Sequence, residues 1–275
     1  SPKGSIMISH GFSESCVKYR EIIYYFLREG YNVCIPDHRN HGQSRDSLSE
    51  NPGACATHID RFRDYVDDFD EVVEGVLKKE LSGPYYLFAH SMGGAIAALY
   101  VEQHPDTFSK VILNAPMFEI NRGGLPYVAA KAAARILCLL GKRKDFLPGQ
   151  HAFSSRENFE NSAATSYPRY LCYFSQQRVS PHLQNGGSSC GWALEAFSAD
   201  EKLLKKKNCA KVKMPVLLFR AEHDTYVLPG GQDRFIGSVP DGRIIFVPDA
   251  KHEIYLSKDE VLKYYLAAIM EFLAR

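Results

Sequence analysis

Short apolar runs recur along this chain, and stretches with helical periodicity separate them. The runs are Ser5–Ser9, Tyr31–Ile35, Tyr85–Ala89, Val111–Leu113, Val216–Phe219 and Arg243–Val247. A run that is apolar on both of its sides is a strand covered on both faces, the condition of a parallel sheet packed between helices. Pro36 stops the second run, which holds Cys34 as a buried strand residue, and Pro248 stops the last. Among the intervening stretches, Val17–Arg28 sets Ile22, Ile23, Phe26 and Leu27 on one helical face, with Gly30 just past its end. Ile59, Phe62, Tyr65, Val66, Phe69, Val72, Val73, Val76 and Leu77 keep the same period. Asp64, Asp67, Asp68 and Asp70 fill the other, solvated face of that helix, and Thr57-x-x-Asp60 reads as its capping box. A last helix opens at Ser257-x-x-Glu260 and carries Val261, Leu262, Tyr265, Leu266, Ile269 and Phe272. The alternation predicts an α/β fold: a mostly parallel sheet with helices on both faces.

Residues 117–190 break the rhythm. They hold a good helix former, Pro126–Leu137, followed by a polar stretch with Phe153, Phe159, Tyr167, Tyr170, Tyr173 and Phe174. An interval of this length between two sheet strands is too long for a loop. It is expected to form an inserted helical cap, with residues 1–116 and 191–275 as the core. Open α/β sheets bind ligands at the carboxyl ends of their strands, so such a cap would act as a lid. The formal net charge of +1 offers nothing to nucleic acid. Seven scattered cysteines, an odd number without C-x-x-C, point to a reducing, cytoplasmic setting. No apolar run approaches the roughly 18 residues that span a bilayer.

The chemistry centres on Ala89-His90-Ser91-Met92-Gly93, which joins the run Tyr85–Phe88 to the helical stretch Gly94–Tyr100. Strand, small residue, x-Ser-x-Gly, helix is the layout of a nucleophile elbow, which exposes the serine hydroxyl on a tight turn. A serine needs a base, and the base needs an orienting carboxylate. In elbow-type hydrolases they follow in the order Ser, Asp or Glu, His. His104, His151, His182, His223 and His252 follow Ser91, and His252 alone comes shortly after a strand, through Pro248-Asp249-Ala250-Lys251. His104 sits near a helix end, and His223 flanks the acid. Ala221-Glu222-His223-Asp224 follows the run Val216–Phe219, which makes Asp224 the acid and Glu222 its fallback. Asn114, at the end of the preceding strand, carries no charge, and Asp249 is too near His252 in sequence. The oxyanion hole needs two backbone donors: the N–H of Met92, after the nucleophile, and that of Phe12, after the first strand. His38 and His41 lack the further ligands that a metal site needs, so no metal is expected. No phosphate-binding glycine motif is present, and no cofactor is expected.

His10-Gly11-Phe12, Asp37-His38-Arg39-x-His41-Gly42-x-Ser44, Ala89-His90-Ser91-Met92-Gly93-Gly94, Asp224 and His252-Glu253 together resemble the α/β-hydrolase superfamily. Within it they are similar to the serine hydrolase group of monoacylglycerol lipases and bacterial lysophospholipases. The lysophospholipases are the closer match, through Asp60-Arg61-Phe62-Arg63-Asp64-Tyr65-Val66-Asp67-Asp68, Ala115-Pro116-Met117-Phe118 and His252-Glu253-Ile254. The similarity spans nearly the whole chain and is thinnest in the cap. Ala89 replaces a common Gly, as in those lysophospholipases, and Asn40 stands where Gly is usual. Only Ser1-Pro2-Lys3-Gly4 precede the first strand, where the family has two further strands, so an N-terminal edge hairpin is expected to be missing.

The resemblance implies a carboxylic ester hydrolase acting on single-acyl lipids, a lysophospholipase first. A monoacylglycerol lipase or a short-chain carboxylesterase is the alternative. Acyl transfer and carbon–carbon bond hydrolysis occur on the same fold, and a non-catalytic binding protein is the reading that an intact Ser/Asp/His set opposes. Lys131 and Arg135 share one face of the cap helix, which would rest on an anionic membrane surface or lie solvated.

Overall fold

The computed structural model describes residues 1–45 and 52–275. Its centre is a six-stranded, wholly parallel sheet in the order β2-β1-β3-β4-β5-β6. The strands are β1 (Ser5–Ser9), β2 (Asn32–Cys34), β3 (Tyr85–His90), β4 (Lys110–Asn114), β5 (Val216–His223) and β6 (Gly242–Lys251). The helices are α1 (Arg20–Arg28), α2 (Phe62–Val72), α3 (Lys78–Glu80), α4 (Met92–Val101), α5 (Tyr127–Leu137), α6 (Tyr167–Val179), α7 (Cys190–Leu203), α8 (Lys206–Cys209), α9 (Pro229–Ile236) and α10 (Asp259–Ala274).

The continuous apolar runs divide their side chains between two cores, because successive strand residues point to opposite faces. Ile6, Ile8, Phe88, Ile112, Leu217 and Phe219 meet Ile22 and Phe26 of α1 and Tyr265 and Ile269 of α10. Met7, Leu87, Val111, Leu113, Val216 and Leu218 meet α2, α4 and Phe235 of α9. Helix α4 lies between α2 and the sheet, and all ten of its residues are buried. A helix apolar all round belongs in an interior, and its sequence, Met-Gly-Gly-Ala-Ile-Ala-Ala-Leu-Tyr-Val, is of that kind.

The interval 117–190 supplies α5, which continues into a π turn at Cys138–Lys142, and α6, with irregular chain between. Helix α7 packs two ways. Trp192, Ala196, Ala199 and Leu203 join the sheet-side core, while Ala193 and Phe197 meet Ala134 of α5.

Several local expectations are corrected. Thr57 caps nothing: α2 starts at Phe62 without a side-chain cap, and Thr57 instead donates to the Gly186 carbonyl at 2.9 Å. Ser257 does not open α10, which starts at Asp259 without a side-chain cap. Pro248 does not end β6, which runs on to Lys251 past an irregularity in its pairing with β5. As β6 is an edge strand, the missing proline N–H costs no ladder bond. Val76 is exposed because a π turn at Val73–Leu77 rotates the end of the helix. Leu27 is also exposed, and Cys34 is only half-buried.

A Cβ on Gly93 would overlap the carbonyl oxygens of Ser9 and His10, backbone atoms that cannot move aside. Gly93→Ala is therefore expected to cost at least about 2 kcal/mol of stability, read as a lower midpoint in urea unfolding.

Candidate active site

Three strand ends converge on one point. Ser91, between β3 and α4, sits at φ 49° and ψ −118°, a conformation rarely taken by residues with a side chain. Backbone bonds hold it there. Its N–H donates to the Asn114 carbonyl at 3.1 Å, and its own carbonyl accepts from Gly94, Ala95 and Met117. Asp224 follows β5, and His252 follows β6.

His252 lies between the other two. Ser91 Oγ–H donates to Nε2 at 2.9 Å, and Nδ1–H donates to Asp224 Oδ2 at 2.7 Å. The carboxylate accepts at Nδ1, which fixes the tautomer that leaves Nε2 bare toward the serine. Asp224 Oδ1 takes the N–H groups of Tyr226 and Val227 at 2.8 and 3.1 Å. Burial pushes the Asp224 carboxyl up, but the bond to His252 and these two amides outweigh it and hold the group below the usual range. A hydroxyl, an imidazole and an ionised carboxylate in line are what is needed to draw a proton from serine as it attacks a carbonyl.

The predicted oxyanion donors belong to the segments after β1 and β3. Met92 is the first residue of α4, where helix N–H groups have no internal partner. Phe12 follows β1. Its amide orientation is set from behind, because His10 Nδ1–H donates to the Gly11 carbonyl at 2.8 Å. In a trans peptide the carbonyl and the following N–H point opposite ways, so this bond aims the Phe12 N–H. His10 is itself held by the His38 N–H, which donates to Nε2 at 2.9 Å.

The competing residues lie elsewhere. Glu222 is exposed and accepts from the Asp249 N–H at 2.9 Å. Asn114 is wholly engaged, giving Nδ2–H to the Ala89 carbonyl and taking the Tyr265 hydroxyl. His104 stacks on Tyr100, and His151, His182 and His223 are surface residues.

A protein-family model described as "Serine aminopeptidase, S33" matches residues 1–259. Lysophospholipase L2 of Escherichia coli strain K12 is 31% identical over 289 residues, covering 98% of this chain and 80% of that one. The chain belongs to the S33 family of α/β-hydrolases. Within that family it is an ester hydrolase. Monoacylglycerol lipase of Mycolicibacterium smegmatis is 23% identical over 263 residues, 95% of this chain and 85% of its own. The crystal structure of Paleococcus ferrophilus monoacylglycerol lipase superposes with a TM-score of 0.74 at 22% identity, covering 99% and 95% of the two chains, and shows the shared fold.

In this α/β-hydrolase the sequence reading missed what lies behind the reacting groups. The Asp37–Ser44 loop carries buried His38 and His41, whose rings pack with His10. His90 packs against His252 with ring centres 4.8 Å apart and the rings tilted by 54°, and its Nδ1–H donates to the Asn114 carbonyl at 3.0 Å. Tyr226 covers another side of His252 at 4.9 Å. The repeated His-Gly pairs were the only local hint.

Burial lowers the pKa of all four of these supporting histidines, to about 3 for His41 and His90. They stay neutral in the folded protein, while the unfolded chain takes up protons below about pH 6.5. Stability is therefore intact above that pH and falls as acid is added. For a group near 3, the loss at pH 5 is about 2 kcal/mol. Urea unfolding at pH 7.5 and pH 5 should show this as a marked drop in midpoint, and an unchanged midpoint would contradict it.

Proposed function

We propose that the enzyme removes the acyl group of single-chain lipids, lysophospholipids first, with Ser91, His252 and Asp224 as its catalytic residues. The observation that carries the mechanism is the pair of short bonds on His252, one to each partner. Ser91 Oγ attacks the ester carbonyl while Nε2 takes its proton. The Phe12 and Met92 N–H groups receive the oxyanion. Nε2–H then protonates the leaving alcohol, and water, activated by the same imidazole, frees the fatty acid. Every proton is moved by groups of this chain.

The substrate class draws on the lysophospholipase L2 relatives and on the cap, residues 117–190 in this reading. A cavity of about 200 Å³ opens beside His252, lined by Ser13, Tyr226 and Glu253 and by Tyr170, Tyr173 and Gln177 of α6. Its polar lining suits the leaving head group. Each buried CH₂ of an acyl chain would add about 0.8 kcal/mol of binding.

The outer side of the cap is apolar. Leu125, Val128, Ile136, Leu139 and Leu140 are exposed on α5 and the turns flanking it. In this reading they rest on a lipid surface, from which the substrate would be drawn. The basic pair contributes less to that contact than its spacing suggests, since Lys131 is bound to Glu201 at 2.6 Å. No helix among the described residues is long and apolar enough to cross a membrane. The seven cysteines are free thiols, in keeping with a reducing, cytoplasmic setting.

Turnover of a lysophospholipid and a monoacylglycerol with the same acyl chain tests the substrate. The lysophospholipid should have the higher kcat/KM, rising with chain length. A preference for the monoacylglycerol would reassign the head group, and a peak at short acyl chains would reject the lipid reading. Ser91→Ala should abolish turnover and fluorophosphonate labelling together. For the surface contact, Leu139→Glu with Leu140→Glu should lower turnover of vesicle-borne substrate at least about tenfold and leave a short soluble ester unaffected.

A further inference from the structure

Three charged side chains meet beside His252, and two of them, Lys18 and Glu253, also line the cavity that opens there. Glu14 follows Gly11 by three residues, and Lys18 is four further on in a 3-10 turn at Cys16–Tyr19. Glu253 comes directly after His252. Lys18 is nearly buried, with 7% of its side chain exposed, and it bridges the two carboxylates, meeting Glu14 Oε1 at 3.0 Å and Glu253 Oε1 in a shorter contact. Burying three charges is strongly unfavourable unless each is paired and hydrogen-bonded, and the best-attested use of such a group is to fix geometry rather than to add stability.

The bonds made by Glu14 show what is being fixed. Its Oε2 accepts the Gly11 N–H and the Tyr19 hydroxyl, each at 2.6 Å. Its Oε1 accepts the Tyr255 hydroxyl at 2.6 Å as well as Lys18. The two peptides leading to Phe12 are thus each clamped, the first through the Gly11 N–H by Glu14 and the second through the Gly11 carbonyl by His10. Across the site, the chain around His252 is tied from three sides. Glu253 takes Lys18, the Glu253 N–H donates to the Ala163 carbonyl at 3.0 Å, and Lys251 Nζ donates to the carbonyls of Glu160 and Ser162. Lys18 also stands 5.2 Å from the ring centre of Tyr173 on α6. One ammonium therefore touches the oxyanion loop, the histidine loop and the cap.

We infer that Glu14, Lys18 and Glu253 form an ionic strap holding the Phe12 amide and the His252 imidazole at a fixed separation, so that all three are positioning residues for ester hydrolysis. The inference rests on the roles given above to Ser91, His252 and Phe12.

The test compares Glu253→Gln, Lys18→Met, Lys18→Arg and Glu14→Gln in the full chain, on a soluble methyl ester, which has no head group to fill the cavity that Lys18 and Glu253 help line. Glu253→Gln and Lys18→Met should lower kcat roughly 10- to 100-fold with KM within about twofold, because a small misplacement of reacting groups costs rate rather than binding. Fluorophosphonate labelling of Ser91 should slow by a similar factor, and Lys18→Arg should restore most of the rate. Circular dichroism at the assay temperature identifies any variant that has unfolded. Glu253→Gln, partly exposed and nearly isosteric, carries the test if the deeper variants do. Wild-type kcat and labelling rate in Glu253→Gln would overturn the strap, as would a loss confined to KM. Failure of wild type to label at Ser91 would instead overturn the catalytic reading, and the strap with it.

Discussion

At Ser91 the chain leaves a buried strand and enters a buried helix within a single residue, and the rest of the molecule is arranged around that turn. The conformation is costly, on the order of 1–3 kcal/mol for a residue with a side chain. What offsets it is not local. The Ser91 N–H reaches β4, its carbonyl gathers amides from α4 and from the segment after β4, and Gly93 and Gly94 let α4 settle against β1 and Pro116. The strain is held by the packing of sheet against helix, so the turn and the central strands depend on each other.

The same sheet explains why residues so far apart in sequence meet. All six strands run parallel, so every carboxyl end lies on one edge. Ser91, Asp224 and His252 follow three of those ends, and Phe12 follows a fourth. That is why strand order singles out His252 and Asp224 as the candidate base and acid. His104, after α4, and His151, in the interval 117–190, follow no strand end.

What the sequence could not disclose depended on partners distant in the chain. Thr57 looks like a cap because Asp60 follows at the right spacing, yet its hydroxyl is taken by Gly186, a residue no local rule would propose. Pro248 looks like a strand end, but the rule fails at an edge strand, and edge position is a property of the whole sheet. Val76 fits the helical period until one π turn shifts it. Glu14 precedes the helical stretch, and Lys18, at its start, is off the apolar face, so nothing local marks either as buried. Their burial follows from tyrosines and a glutamate brought in from both ends of the chain.

Phe12 joins two properties that are usually separate. Its amide, aimed by His10, is the proposed oxyanion donor, while its ring lies 4.4 Å from Trp192 on α7 and 5.7 Å from His41. The backbone contribution does not depend on which side chain the position bears. In the proposed mechanism, substitutions there would alter the contacts with Trp192 and His41 and keep the backbone donor, which gives this position, unlike Ser91 or Gly93, room to vary between descendants while the reaction itself is inherited.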